Sequence, residues 1–272
     1  MIALITGASS GIGEATARRV AREPGTTAVV LVARRADRLE QLARELGSGG
    51  VETLPLAEDL TDASAGGRVA DAVRARFGRL DLLVNNAGAG WRGAFADVGT
   101  ANLRQTLELN LFAQASLTEA LLPLLRESAP SAIVNVASTA GRVARAGSGG
   151  YSASKFAFIG WTDSLHLEEK PNGVHVGLVN PGFVTTEGFP QKELVDNRAT
   201  RWMVSTPEKV ADAILQAGPG GKAERYAPRP YALAAAARIL LPGLTRRVLG
   251  GSGASSLATS TNADATDPAA GG

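Results

Sequence analysis

The chain has no cysteine, which excludes disulfides, thiol nucleophiles and zinc–thiolate centres at the outset. Its two histidines, His166 and His175, have no carboxylates spaced to complete a ligand set, so no metal is expected. The formal net charge is only +2 over 272 residues, and no basic run is interleaved with aromatics, so nucleic acid is not an expected partner. No apolar run approaches the ~18 residues that span a bilayer. Residues 1–5 enter directly into a strand-like segment rather than a leader, and the cytoplasm is the expected compartment. What is plentiful is apolar bulk, 44% of residues, enough for one large core.

Apolar runs too short for helices fall at 1–5, 27–33, 51–57, 80–84, 132–137 and 174–179. Helical periods separate them, at about 14–23, 36–46, 62–77, 100–128, 151–170 and 207–216. This alternation predicts an α/β fold: a Rossmann-like, doubly wound parallel sheet with helices on both faces, in a single domain over 1–217. Ligands of such sheets bind at the carboxyl ends of the strands. The segment 187–205 has no clear period and holds Phe189, Pro190, Trp202 and Met203; it is long for a bare connection and reads as a substrate loop. Residues 218–249 read as a helical extension, with two short helices over 231–249 broken at Pro242-Gly243. These either pack on the domain or, with Arg238, Arg246 and Arg247 along their edges, meet a membrane surface or a partner. Residues 250–272 are mostly Gly, Ala, Ser, Thr and Asp, the composition of a disordered tail.

Between the first strand and first helix stands Thr6-Gly7-Ala8-Ser9-Ser10-Gly11-Ile12-Gly13. A glycine-rich turn feeding a helix N-terminus presents unpaired N–H groups to a pyrophosphate, so Gly7, Ser9, Ser10, Gly11, Ile12 and Gly13 are candidate cofactor contacts. The spacing GxxxGxG differs from the common GxGxxG, and a plain tight turn is the alternative. About 20 residues on, where an NAD reader has an acid for the ribose 2′-hydroxyl, stand Arg34 and Arg35. Two guanidiniums suit a 2′-phosphate, which makes NADP(H) preferred over NAD(H); two solvated charges opening the next helix are the alternative. Tyr151 and Lys155, at i and i+4, share one helix face. A cation beside a phenol lowers its pKa toward the range a general acid/base needs, although such a pair also occurs on ordinary helix surfaces. Asn110, set among leucines, faces solvent or bonds inside.

With those residues in hand, the chain resembles the short-chain dehydrogenase/reductase family, in its subgroup of about 250 residues. The matches are Thr6 to Gly13, Asp59, Asn85-Asn86-Ala87-Gly88, Asn110, Ser138, Tyr151, Lys155 and Pro181-Gly182 with Thr186. The resemblance implies an oxidoreductase that interconverts a ketone or aldehyde with an alcohol. Tyr151 would exchange a proton with the substrate oxygen, Ser138 would hydrogen-bond that oxygen, and Lys155 would hold the nicotinamide ribose and depress the tyrosine. Asn110 would hold a relay water, Asp59 would bond the adenine, and Asn86 would steady the sheet and ribose. Thr186 would contact the carboxamide, with Ala87, Gly88, Pro181, Gly182 and Val184 as further cofactor contacts. Two departures stand out: Ala137 where many relatives have serine, and Ser10 where a basic residue would add a 2′-phosphate contact. Phe189, Trp202, Met203 and Trp91 suggest an apolar small-molecule substrate, or ordinary packing. A homodimer or homotetramer, paired through the helices over 100–128 and 151–170, is implied by resemblance only. The rival reading from another class is a non-catalytic NADP(H)-binding sensor.

Overall fold

The computed structural model describes residues 1–187, 192–198 and 200–249; Phe189, Pro190 and the tail over 250–272 lie outside them. β1 (Ile2–Thr6) leads into α1 (Gly11–Ala21), and the same step repeats through β2 (Ala28–Ala33), α2 (Ala36–Ser48), β3 (Glu52–Ala57), α3 (Ala65–Phe77) and β4 (Leu82–Asn85). Next come α4 (Phe95–Leu107), a π-helical turn (Glu108–Phe112), α5 (Ala113–Glu127), β5 (Ser131–Val136), α6 (Gly149–Glu169) and β6 (Val174–Pro181). A short pair, β7 (Phe183–Val184) and β8 (Val204–Ser205), brackets α7 (Lys192–Asp196). The chain then forms α8 (Pro207–Ala217), β9 (Glu224–Ala227), α9 (Tyr231–Leu240) and α10 (Pro242–Leu249).

Seven strands pair in the order β3-β2-β1-β4-β5-β6-β9, all parallel. Successive strand residues face opposite sides, so β1 alone feeds two cores. Ala3 and Ile5 join Ala17 and Val20 of α1, Leu39 and Leu42 of α2, and Ile214 of α8. Leu4 turns the other way, toward Val69 and Val73 of α3 and Leu117 and Leu121 of α5. Burial on both faces is why these strands read as continuous apolar runs. The sheet order reverses at β1, since β2 lies on one side and β4 on the other. A crevice therefore opens at the carboxyl ends of those strands.

Three elements differ from the sequence reading. The sheet continues past residue 217: β9 pairs with β6 from Leu178↔Glu224 to Pro181↔Ala227, inside the stretch expected to be helical. Its Glu-Arg-Tyr-Ala is an edge strand with two charges and no apolar run, so periodicity cannot mark it. The helix expected over 100–128 is three segments starting at Phe95, with a kink at Gly99 (φ +56°) and the π turn at 108–112. The segment without a period, 187–205, contains β8, which Phe183↔Val204 and Val184↔Ser205 zip to the chain leaving the sheet. The two helices over 231–249 form as expected but bury little: Ala235 is their one fully buried residue.

Candidate active site

β1 ends because Gly7 turns with φ +66°, and the turn is then tied to the end of β4. The Thr6 hydroxyl accepts from the backbone N–H groups of Asn86 (2.8 Å) and Ala87 (2.9 Å), and Asn86 Nδ2 donates to the Thr6 carbonyl at 2.9 Å. A Cβ on Gly13 would stand 2.2 Å from the Gly7 carbonyl oxygen, so no side chain fits there. Gly11 takes φ +57°, and a Cβ on it would meet Thr186 Cγ2 at 3.2 Å, which brings the segment after β6 against the turn. Ser10 is the N-cap of α1, and its side chain makes no cap bond. The first-turn N–H groups are thereby left for an anion.

Arg35 arches back over this turn, its Nη2 donating to Ser10 Oγ (2.8 Å) and Ser9 Oγ (3.1 Å). Asp59 lies near Arg34. Burial works to raise its carboxyl, but bonds from the Thr61 N–H (3.0 Å) and hydroxyl (2.7 Å) and the Arg34 charge outweigh it, and the group sits below the usual range. Arg38 pairs with Glu187 at 2.7 Å, linking α2 to the residue after Thr186. Sequence reasoning missed that clasp.

A few residues from the crevice, Ser138 leaves β5 and α6 delivers Tyr151, with the serine hydroxyl close enough to the phenol to favour its ionised form. Ser138 Oγ also accepts from the Ala140 N–H at 3.1 Å, which fixes its rotamer. Lys155 is buried, and its ammonium donates to the Val136 carbonyl at 3.0 Å while lying 5.9 Å from the Tyr151 ring centroid. The two side chains share a face as the i, i+4 spacing predicts. Their electrostatics differ from the expectation, however. Burial pushes the phenol above its ordinary value, opposed by the nearby Ser138 hydroxyl and by the charges of Arg145 and Arg92. Lys155 itself is lowered by burial to about 8. The expected depression of Tyr151 by Lys155 is absent because the ammonium is turned to a backbone carbonyl rather than to the phenolic oxygen.

Asn110 is wholly buried in the π turn, which resolves the choice between solvent and interior. Its Oδ1 accepts from the Ala89 N–H (2.9 Å), and its Nδ2 donates to the Ala89 carbonyl (2.8 Å) and Ser154 Oγ (3.0 Å). A π turn inserts one extra residue into a helix and re-aims a side chain, here inward. Gly88 completes the contact: a Cβ on it would meet Asn110 Oδ1 at 2.8 Å and Lys155 Nζ at 3.6 Å.

The far wall comes from the chain after β6. The Gly182 N–H donates to the Ala227 carbonyl at 2.9 Å, and Gly182 packs so closely on Tyr231 that a Cβ would stand 2.3 Å from its ring. Tyr231 in turn donates its hydroxyl to the Met203 carbonyl at 3.1 Å. Ser138 Oγ lies 3.5 Å from the Pro181 carbonyl, and Val184 is buried where β7 meets β8. Arg145 sits 4.6 Å over the Phe183 ring. Of the aromatic residues read as substrate contacts, Trp91 is half-buried and Trp202 is exposed beside Arg225 and Arg229. Arg92, Arg145 and Tyr231 were not foreseen. The one signal for Arg145 is topological: the connection between Ser138 and Tyr151 must pass over the strand ends, so an arginine in it reaches the site.

The sequence model of the short chain dehydrogenase family matches residues 1–195. The ketoacyl reductase HetN of Nostoc is 35% identical over 217 residues, covering 79% of this chain and 74% of the relative. The NADP-dependent 3-hydroxy acid dehydrogenase of Schizosaccharomyces pombe is 33% identical, with 78% and 84% covered. Among solved structures, a short chain dehydrogenase from Burkholderia cenocepacia in complex with NADP superposes with a TM-score of 0.74 at 30% identity, covering 82% of this chain and 94% of that one. L-sorbose reductase from Gluconobacter frateurii, complexed with NADPH and L-sorbose, gives 0.72 at 29% identity, with 83% and 93% covered. The chain belongs to the short-chain dehydrogenase/reductase family, and it is an oxidoreductase acting on CH–OH groups.

Proposed function

We propose that the protein interconverts a ketone or aldehyde with an alcohol using NADP(H), with Tyr151 as the general acid/base. The observation that carries this reading is the approach of the Ser138 hydroxyl to the Tyr151 phenol, close enough to act on its ionisation, with the Lys155 ammonium 5.9 Å from the tyrosine ring. Two hydroxyls converging on one point can both bond a carbonyl oxygen as negative charge develops on it. A phenol held above its ordinary value stays protonated at neutral pH and is suited to donating that proton in reduction. In the reverse direction the charges of Arg145 and Arg92 favour the phenolate. Asn110, bonded to Ala89 and Ser154 beside Lys155, is the expected link of a proton relay to solvent.

The residues present fit a dinucleotide. The glycine cradle, the uncapped first turn of α1 and Asn86 to Gly88 line its expected path, with Pro181, Gly182, Val184 and Thr186 opposite. When bound, the nicotinamide supplies or accepts the hydride. NADP(H) over NAD(H) rests on Arg34 and on Arg35, whose guanidinium lies against Ser9 and Ser10 at the end of β2. The cytoplasm remains the compartment of this reading. Exposed Phe112 and, on α6, Phe156 and Leu167 support the expected homodimer or homotetramer through that face.

The substrate class is set by a mixed rim, where Trp91 adjoins Arg92 and Arg145 adjoins Phe183. A carbonyl compound with an apolar body suits it, and the relative named for 3-hydroxy acids puts carboxylate-bearing alcohols in the test panel. The test is NADPH oxidation against ketones, aldehydes and keto acids, repeated with NADH. Tyr151→Phe is expected to lower kcat by about 10²–10⁴-fold with NADPH affinity unchanged. Tight NADPH binding by the wild type with no turnover across the panel would favour the sensor instead.

A further inference from the structure

The strongest unassigned feature is the surface formed by residues 201–249, which combines an unneutralised basic cleft with an apolar face turned outward. A cleft of about 480 Å³ is lined by Arg201, Lys209, Arg225 and Arg229 with Trp202 and Tyr226, and no carboxylate lines it. None of the four cations makes an ion pair among the described residues. Arg225 Nε is buried without a hydrogen-bond partner, an orphaned charged donor beside the cleft. Such a donor costs free energy unless an anion meets it.

Arg229 leads directly into α9, whose Tyr231 holds the carbonyl of Met203, next to Trp202, so cleft and helix form one surface. α9 is amphipathic in the wrong sense for a helix that covers a domain. Its buried side carries Ala235, whereas Leu233, Ala236, Ala237 and Leu240, at i, i+3, i+4 and i+7, lie on the opposite side, with Leu233 and Leu240 75% and 76% exposed. α10 folds against α9 through the Thr245 hydroxyl, which donates to the Ala237 carbonyl, and leaves Leu244 and Val248 exposed beside Arg246 and Arg247. From 225 to 249 there are five arginines and no acidic residue.

We propose that this surface docks on an anionic phospholipid bilayer, the cleft taking headgroup phosphates and the α9–α10 face entering the interface. Charge decides the occupant. A second copy of the chain meeting this face would bring Arg238, Arg246 and Arg247 of both copies together with no carboxylate on the face to offset them. Residues 250–272 supply a single bulky apolar side chain, Leu257, too little to cover the exposed Leu233, Ile239, Leu240, Leu241 and Leu244. An interfacial lipid layer answers both the apolar stripe and the cations. No helix among the described residues is long and apolar enough to cross a membrane, so the contact is peripheral.

The test is co-sedimentation of the full chain with vesicles of phosphatidylcholine alone or with phosphatidylglycerol, at low and high salt. The expected result is pelleting with the anionic vesicles only, weakened by salt. Arg201→Glu/Arg229→Glu should lower the partition coefficient by at least about fivefold for each arginine, and Leu233→Glu/Leu240→Glu by a comparable amount. A charge-matched control outside the cleft and the α9–α10 face, Arg22→Glu/Arg44→Glu at the end of α1 and on α2, should pellet like the wild type. Equal loss in the control would mean diffuse attraction and would overturn the proposal. So would no pelleting, unchanged pelleting in the leucine variant, or a leucine variant that instead turns a dimer into a monomer without lipid. The readout involves no turnover, so it stands apart from the catalytic reading; each variant is first checked for wild-type NADPH binding, which confirms folding.

Discussion

The floor of the site and the segment that walls it off are built by opposite rules. In the floor, most polar groups are committed, although Asn85 Oδ1, Ser152 Oγ and Asn180 Oδ1 have no partner: Asn85 Nδ2 bonds to Thr118 and Asn135, Asn110 to Ala89 and Ser154, Thr6 to Asn86 and Ala87, Lys155 to Val136. Its flanking charges are committed too, as in Arg18 with Glu45, Arg68 with Glu58 and Arg126 with the buried Glu169. From 201 to 249 the arginines have no ion pair among the described residues and large apolar side chains stay exposed. The difference teaches where each region's partner lies. The charges of the floor are satisfied by the fold itself and hold one geometry, whereas the wall keeps its cations for something outside the chain.

The contrast breaks most sharply at Gly13. Gly13→Val places a Cβ 2.2 Å from a backbone oxygen that cannot swing aside, so the turn must open. We expect NADPH binding to be lost and stability to fall by at least about 3 kcal/mol, measured by cofactor titration and denaturant unfolding. Retained tight binding would mean the cradle is not as rigid as the floor's bonding implies.

Lys155 gives the next largest effect. Its folded pKa, about 8, lies below the ordinary lysine value of 10.5. Between those values the unfolded chain binds more protons than the folded one, so stability rises with pH through that window, and below it the full burial cost is present. Lys155→Met removes the cost. The stability of the variant relative to wild type should shrink by up to about 3 kcal/mol from pH 8 to 10.5. A difference that stays flat with pH would show that the lysine is not desolvated.

How much of this was legible follows from the same contrast. Residues that fill both faces of a parallel sheet announce themselves as runs of Val, Ile and Leu, and the turn at Gly7 to Gly13 needs glycine for steric reasons that any such turn shares. Tyr151 and Lys155 could be placed on one face by helix geometry alone. The direction in which Lys155 points could not, because it depends on the Val136 carbonyl, which arrives from a different strand. Asn110 was undecidable for the same reason: the π turn that buries it has no sequence period. β9 hid because an edge strand of four residues needs no apolar run. In the wall, the outward leucines of α9 have a helical period but nothing in it says which side the domain takes.

Within the wall, the Tyr231 hydroxyl ties α9 to the Met203 carbonyl. Tyr231→Phe keeps the ring against Gly182 and removes that bond, for a loss of about 1 kcal/mol and ~2–4 °C in Tm for a domain of this size. We expect KM for the carbonyl substrate to rise more than kcat falls, since the wall and not the hydroxyl pair is disturbed. An unchanged Tm would mean that the wall is held by packing alone.

The smallest effect tests the residue that touches both regions. Arg145 lies over Phe183 of the wall, and its charge lowers the phenol of Tyr151 in the floor. Burial dominates the phenol and raises it, so removing one opposing cation can only raise it further. Alcohol oxidation, which needs the phenolate, should therefore have its rising limb moved to higher pH in Arg145→Gln. Its rate at a fixed pH on that limb should fall by about two- to fivefold, the size of a screened charge contact of ~0.5–1 kcal/mol. Carbonyl reduction, which needs the neutral phenol, should hold its rate at neutral pH. Opposite responses of the two directions identify an electrostatic effect on Tyr151. Equal losses in both would instead place Arg145 with the wall, as a prop for Phe183 whose charge the floor does not feel.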